Sequence, residues 1–129
     1  MIDVVRRERV VHLVISAPPV NVLDGAILGE LVERLGELTA DDSVAAVVLS
    51  GEGKCFSAGA SVEEHKQEHA EGMVGGLAEA CLALPAFPAP VVAAVHGPCL
   101  GGAMVLISFC DFVVADPGAV VGEPGCLGG

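Results

Sequence analysis

Two short runs, Val44-Ala45-Ala46-Val47-Val48-Leu49-Ser50 and Val91-Val92-Ala93-Ala94-Val95-His96, constrain this chain more than anything else in it. Both are apolar on both faces, and each soon gives way to a glycine-bearing turn. Such a run reads as a central strand covered on both sides, the habit of parallel sheets flanked by helices. The turns are Phe56-Ser57-Ala58-Gly59-Ala60 and Gly97-Pro98-Cys99-Leu100-Gly101-Gly102. Each can leave a backbone N–H unpaired and pointing into a cavity. Two such donors converging on one oxygen form an oxyanion hole, which stabilises a developing enolate or tetrahedral oxyanion. Acyl chemistry is therefore the leading functional expectation.

The rest of the pattern fits an α/β layout. Residues 2–6 and 10–16 read as strands separated by the charged turn Arg7-Glu8-Arg9, and Pro18 and Pro19 end that ladder because proline has no N–H to donate. Asp24 reads as the N-cap of a helix over 25–38. Ile27, Leu28, Leu31, Val32, Leu35 and Leu38 form its apolar stripe, and Glu30 with Arg34 forms an i,i+4 pair. A second helix is expected over 72–84, a rigid connector over Pro85–Pro90, and an apolar helix over 102–109. Residues 111–115 read as a last strand, with a hairpin-like return near Ala119-Val120-Val121. The β–α–β–α–β order implies a parallel sheet with crossover helices. The sequence carries no internal repeat.

With 129 residues the chain suits one domain core and is too short for two. Its hydrophobic fraction of 53% exceeds what so short a chain needs, so uncovered apolar faces are expected, for a partner subunit or for further sequence of a longer chain. The net charge of −11 argues against nucleic acid, whose phosphates need clustered Lys and Arg. Arg6, Arg7 and Arg9 are expected to decorate an edge strand. The five cysteines, Cys55, Cys81, Cys99, Cys110 and Cys126, show no CxxC spacing, so zinc is not expected. Buried reduced thiols in a cytoplasmic protein are the natural reading. The apolar stretches are broken before the ~20 residues a membrane span needs.

Other candidate motifs carry less. Gly51-Glu52-Gly53-Lys54 lacks the spacing of a phosphate loop, and Gly97 to Gly102 lacks that of a dinucleotide site. His65 and His69 would share a helix face, but their surroundings are hydrophilic and no carboxylate completes a metal motif, so solvated histidines are expected. His12 and His96 flank apolar strands and read as structural. The carboxylates Glu63, Glu64, Glu68 and Glu71 read as a solvated helix face.

Five stretches carry a family resemblance: Asn21-Val22-Leu23-Asp24, Phe56 to Ala60, Pro90 to Gly97, Leu100-Gly101-Gly102 and Cys110-Asp111-Phe112-Val113-Val114-Ala115. In their order and separation the chain resembles the crotonase (enoyl-CoA hydratase/isomerase) superfamily over essentially its whole length. The resemblance implies a crotonase-like ββα spiral, with residues 1–129 as its N-terminal half and the helical C-terminal part lying beyond it. It implies that the N–H groups of Ala60 and Gly102 grip a thioester oxygen, each adding about 3–4 kcal/mol of transition-state stabilisation by analogy with measured oxyanion holes. Ala58, Ser61 and Val62 would contact the adenine and pantetheine portions of a bent coenzyme A. The substrate would be a coenzyme A thioester, with no tightly bound cofactor, and the full-length protein would be a homotrimer or hexamer. Gly59-Ala60-Ser61-Val62-Glu63-Glu64-His65 is similar to the cyclohexa-1,5-diene-1-carbonyl-CoA hydratases of anaerobic aromatic degradation.

The departures from the family pattern fall on the acid/base groups. The two glutamates of a typical hydratase would fall at Val105 and Gly125, and neither residue can move a proton. Glu123, two residues from the second position, is the nearest substitute. Some relatives with glycine at the second position use bound bicarbonate as the base, which leaves a synthase, isomerase or decarboxylase reaction open. A catalytically degenerate coenzyme A-binding subunit is the third reading.

Overall fold

The computed structural model describes residues 1–60 and 76–122. Its main sheet contains β1 (Ile2–Arg7), β2 (Val10–Ile15), β4 (Ala46–Gly51), β6 (Val91–Val95) and β8 (Phe112–Ala115), in the spatial order β1-β2-β4-β6-β8. β1 runs antiparallel to β2, and every later pairing is parallel. The two doubly apolar runs therefore occupy adjacent positions inside the sheet, as their composition requires. In one row across the sheet Leu13 sits beside Leu49, Leu49 beside Ala93 and Ala93 beside Val113.

Side chains alternate along each strand, so one face carries Val11, Leu13, Ile15, Val47, Leu49, Val91, Ala93 and Val95, all buried. The residues between them, Val48, Val92 and Ala94 among others, are half-buried. The buried face shares one core with α1 (Gly25–Thr39) and α2 (Leu77–Ala86). Asp24 caps α1, its carboxylate accepting from the Ile27 N–H at 2.9 Å, and Ile27, Leu28, Leu31 and Leu35 are the buried positions of the expected stripe. The expected Glu30–Arg34 pair does not form. Arg34 instead bonds Glu33 and, at 3.1 Å, Glu37.

Each strand of the sheet from β2 onward is followed by a shorter one. After β2 comes β3 (Val22–Leu23), after β4 comes β5 (Gly59–Ala60), after β6 comes β7 (Pro98–Leu100), and after β8 comes β9 (Val120–Gly122). β3 pairs with β5 and β7 with β9, both in parallel, and a parallel bridge joins Ser57 to Cys99. This is the ββα repeat that the resemblance implies. β9 also corrects the hairpin expectation: the chain after β8 does not fold back on it but runs beside β7, with Val120 N–H bonding Gly97 O at 2.9 Å.

Two further boundaries differ from the sequence reading. Helix α2 continues through Pro85, which forfeits only the bond its N–H would have made to Cys81, so the rigid connector begins later. Helix α3 spans only Gly102–Ile107, burying Ala103, Leu106 and Ile107 while Met104 and Val105 stay half-buried. The expected start of α2 at residue 72 lies outside the described residues. No helix among the described residues is long and apolar enough to cross a membrane. Uncovered apolar surface is present as expected, on edge strand β8, where Phe112 and Val114 are each 62% exposed, and on β9.

β1 is the other edge, and it carries Arg6 and Arg7, while Arg9 stands in the turn that follows. Arg6 reaches across to the turn before β4, bonding Asp41 at 2.7 Å and Ser43 Oγ at 2.5 Å. Bonds from the Ser43 hydroxyl, then Arg6, then the Ser43 N–H hold the Asp41 carboxyl at about 2, below the ordinary 3.8. A depressed carboxylate contributes stability above its unfolded value and loses that contribution as pH falls through the folded one. Asp41→Asn should therefore flatten the fall in stability between about pH 4 and pH 2, leaving the neutral-side profile unchanged in shape. Urea titrations at stepped pH check this, and an unaltered acid slope would contradict it.

Candidate functional site

Two buried polar residues, Asn21 and Ser57, organise the loops where the short strands begin. Asn21 sits in the left-handed region at φ 53, a conformation Asn tolerates better than most residues. Its Oδ1 accepts from Ala17 N–H at 2.9 Å. Its Nδ2 donates to the carbonyls of Glu52, Cys55 and Phe56 at 2.8, 3.0 and 3.2 Å, so three acceptors share two hydrogens. One carboxamide thus ties the segment after β2 to the loop after β4. A small cleft lined by Ser16, Pro18, Pro19, Asn21, Glu52 and Gly53 opens beside it.

Ser57 connects the same loop to the other glycine turn. Its N–H donates to Pro98 O and its carbonyl accepts from Leu100 N–H, both at 3.2 Å. Its hydroxyl donates to Asn21 O at 2.6 Å and accepts from Gly59 N–H at 3.0 Å. On either side, Phe56 N–H bonds His96 O at 2.8 Å and Ala58 N–H bonds Val20 O at 2.9 Å. The two turns singled out in the sequence therefore lie side by side, joined by main-chain bonds.

Glycine is required where they touch. Gly59 has φ +116, and a Cβ there would lie 2.9 Å from Leu100 O and 3.9 Å from Gly102 N. Gly101 has φ 56 and ψ −120, a conformation open essentially to glycine alone, and it turns the chain from β7 into α3. Gly102 is the first residue of α3, so its N–H has no intrahelical acceptor, and no described residue accepts from it. Ala60 follows Gly59 in β5, opposite Leu23 of β3. The backbone around Ala60 and that around Gly102 are thus neighbours, and Ala58 lies in the same turn.

Ser61, Val62, Glu123 and Gly125 lie outside the described residues, as do His65, His69 and Cys126. Val105 stands one turn into α3 from Gly102, half-buried against the core, an apolar side chain where the resemblance implies a carboxylate. His96 Nε2 is 2.6 Å from Gly53 O, a structural role as expected. The described cysteines are all free. Burial, aided by nearby Cys55, pushes the Cys99 thiol up to about 11. Burial, with Asp111, Cys81 and Cys99 adding to it, pushes Cys110 up to about 12. Burial also raises Cys55 and Cys81. In each case burial disfavours the thiolate, the form a nucleophile needs. No group of three or more metal-ligating side chains occurs among the described residues.

The role of Asn21 as a tie between loops was missed from the sequence. The available signal was a lone carboxamide inside the apolar stretch Pro19-Val20-Asn21-Val22-Leu23, since a polar group buried in such text needs partners.

Residues 6–129 match the model of the enoyl-CoA hydratase/isomerase family. The chain is 36% identical over 116 residues to a protein of Bacillus subtilis strain 168 named "Probable enoyl-CoA hydratase", covering 87% of this chain and 45% of that one. It is 32% identical over 113 residues to the cyclohexa-1,5-dienecarbonyl-CoA hydratase of Thauera aromatica, covering 88% and 44%. Among solved structures, an enoyl-CoA hydratase/carnithine racemase from Magnetospirillum magneticum superposes with a TM-score of 0.86 at 30% identity, over 95% of this chain and 49% of that one. The chain spans about half the length of the curated relatives it matches.

The contact between the turns gives a direct test. Gly59→Ala would set a Cβ against Leu100 O in a backbone conformation that side chains rarely adopt. It should cost about 2 kcal/mol or more. Urea denaturation measures this, and a loss within about 0.5 kcal/mol would contradict the close approach.

Proposed function

The chain belongs to the enoyl-CoA hydratase/isomerase family, and from that premise we propose that the full-length protein is an acyl-CoA hydratase whose backbone polarises a thioester carbonyl. In this reading the N–H groups of Ala60 and Gly102 donate to the carbonyl oxygen of a coenzyme A thioester, lowering the energy of the enolate that forms there. The single observation that carries it is the approach of Gly59 to Gly102 N, at 3.9 Å from a Cβ position, beside a Gly102 N–H with no intrahelical acceptor. Small residues serve the same end, because the coenzyme must lie close to the main chain. Ala58, Ser61 and Val62 would face its adenine and pantetheine.

The substrate we propose is cyclohexa-1,5-diene-1-carbonyl-CoA or a similar cyclic dienoyl thioester. Two things support it: the relative from Thauera aromatica and the Gly59 to His65 wording. Glu123 is the proposed acid/base group. A homotrimer or hexamer is the proposed assembly, which would give the uncovered apolar surface a use.

Val105 favours a second reading. An apolar side chain on α3 cannot move a proton, so a base delivered as bicarbonate would suit an isomerase, decarboxylase or synthase on the same carbonyl grip. A degenerate coenzyme A-binding subunit is the limit of that series.

Spectrophotometric assay of the full-length protein with the cyclic dienoyl-CoA should show hydration, and Glu123→Gln should lower kcat by about 100-fold, the lower range for a general acid/base group. A rate that rises with added bicarbonate and ignores Glu123→Gln would favour the second reading. No turnover of this substrate or of crotonyl-CoA would overturn the hydratase assignment.

A further inference from the structure

We infer that Ser57 is a positioning residue that sets the spacing and direction of the two carbonyl-binding N–H groups, with Asn21 as its support. This rests on the reading of Ala60 and Gly102 as those donors. Ser57 is fully buried; its main-chain N–H and carbonyl both engage β7, and its hydroxyl engages Asn21 and Gly59. Its hydroxyl accepts from Gly59 N–H at 3.0 Å, one residue before Ala60. Its carbonyl accepts from Leu100 N–H at 3.2 Å, two residues before Gly102. A single residue therefore holds the approach to both donors, and any rotation of its peptide moves one relative to the other.

The hydroxyl has a second task. With its proton committed to Asn21 O at 2.6 Å, its lone pairs are left to receive Gly59 N–H. That bond keeps the Gly59 N–H turned into the protein, so that it does not compete with the next N–H along the chain. Asn21 fixes the carbonyl that receives the Ser57 proton, because its carboxamide is itself tied to Ala17, Glu52, Cys55 and Phe56. An ordinary serine turn closes on its own loop only. Ser57 instead links three separated stretches of chain, which is why its loss should be felt at the carbonyl and not only in stability.

The test uses a chromophoric 2,4-dienoyl-CoA bound to the full-length protein at saturation. Polarisation of its carbonyl shifts the absorption band to the red, a readout that a purely structural weakening of a still-folded protein would not move. Ser57→Ala should at least halve the red shift and lower kcat about tenfold while KM changes less than about twofold, the pattern of an interaction made in the transition state. Asn21→Gly, which keeps the left-handed backbone while deleting the carboxamide, provides a second variant should Ser57→Ala fail to fold. It should reduce the shift in the same direction, and Ser57→Thr, which restores a hydroxyl, should recover part of it. A wild-type red shift unchanged in Ser57→Ala or Asn21→Gly would overturn the positioning role alone. Absence of any shift in the wild-type protein, with binding intact, would overturn the carbonyl-polarising reading and the positioning role together.

Discussion

The Asn21 carboxamide and the Ser57 hydroxyl form one short relay, and the geometry of the candidate site depends on it. The relay lies where four short segments meet: the chain after β2, the loop after β4, and the starts of β5 and β7. None of those segments is long enough to fix its own register through a ladder. β3 and β5 pair through only two residues each. A buried polar group must find partners or lose the full cost of its desolvation, and the relay supplies them without leaving Asn21 or Ser57 unpaired. The surrounding core, from Phe56 to Leu106, excludes water and leaves these bonds as the defined link between the turns.

The chemistry we propose is main-chain chemistry. Burial disfavours the thiolate form of the described cysteines, and α3 presents Val105 where the family resemblance implies a carboxylate. Helix α3 is only six residues long, so its dipole adds little beyond the donor at its first residue. In the proposed reading, what the two turns would offer a substrate is a pair of fixed dipoles aimed at one place. Such dipoles need no reorganisation as charge develops, which is the physical reason a backbone site can serve several reactions on one thioester carbonyl.

Much of this was legible in the residues. The long strands announced themselves because Val44–Ser50 and Val91–His96 are apolar at every parity, and α1 because its stripe and its Asp24 cap agree. The short strands were not legible, since two or three residues carry no period. The repeat they build is one of hydropathy and turn placement, not of residue identity, so no internal repeat could be seen. The return after β8 was read as a hairpin from its turn residues, while the bonds that decide it run to β7, about twenty residues upstream. Arg34 chose Glu33 and Glu37 over Glu30 because exposed carboxylates within reach of one guanidinium differ little in energy. At the site, the glycines were visible and their contact was not, because it depends on Ser57 pairing with residues some forty positions away.

The most direct measurement is an experimental structure of the full-length protein with a coenzyme A thioester analogue bound. The account predicts the thioester oxygen within about 3.1 Å of both Ala60 N and Gly102 N, with the Ser57 hydroxyl still bridging Asn21 and Gly59. A carbonyl oxygen seated elsewhere, or with either N–H turned away from it, would contradict the account.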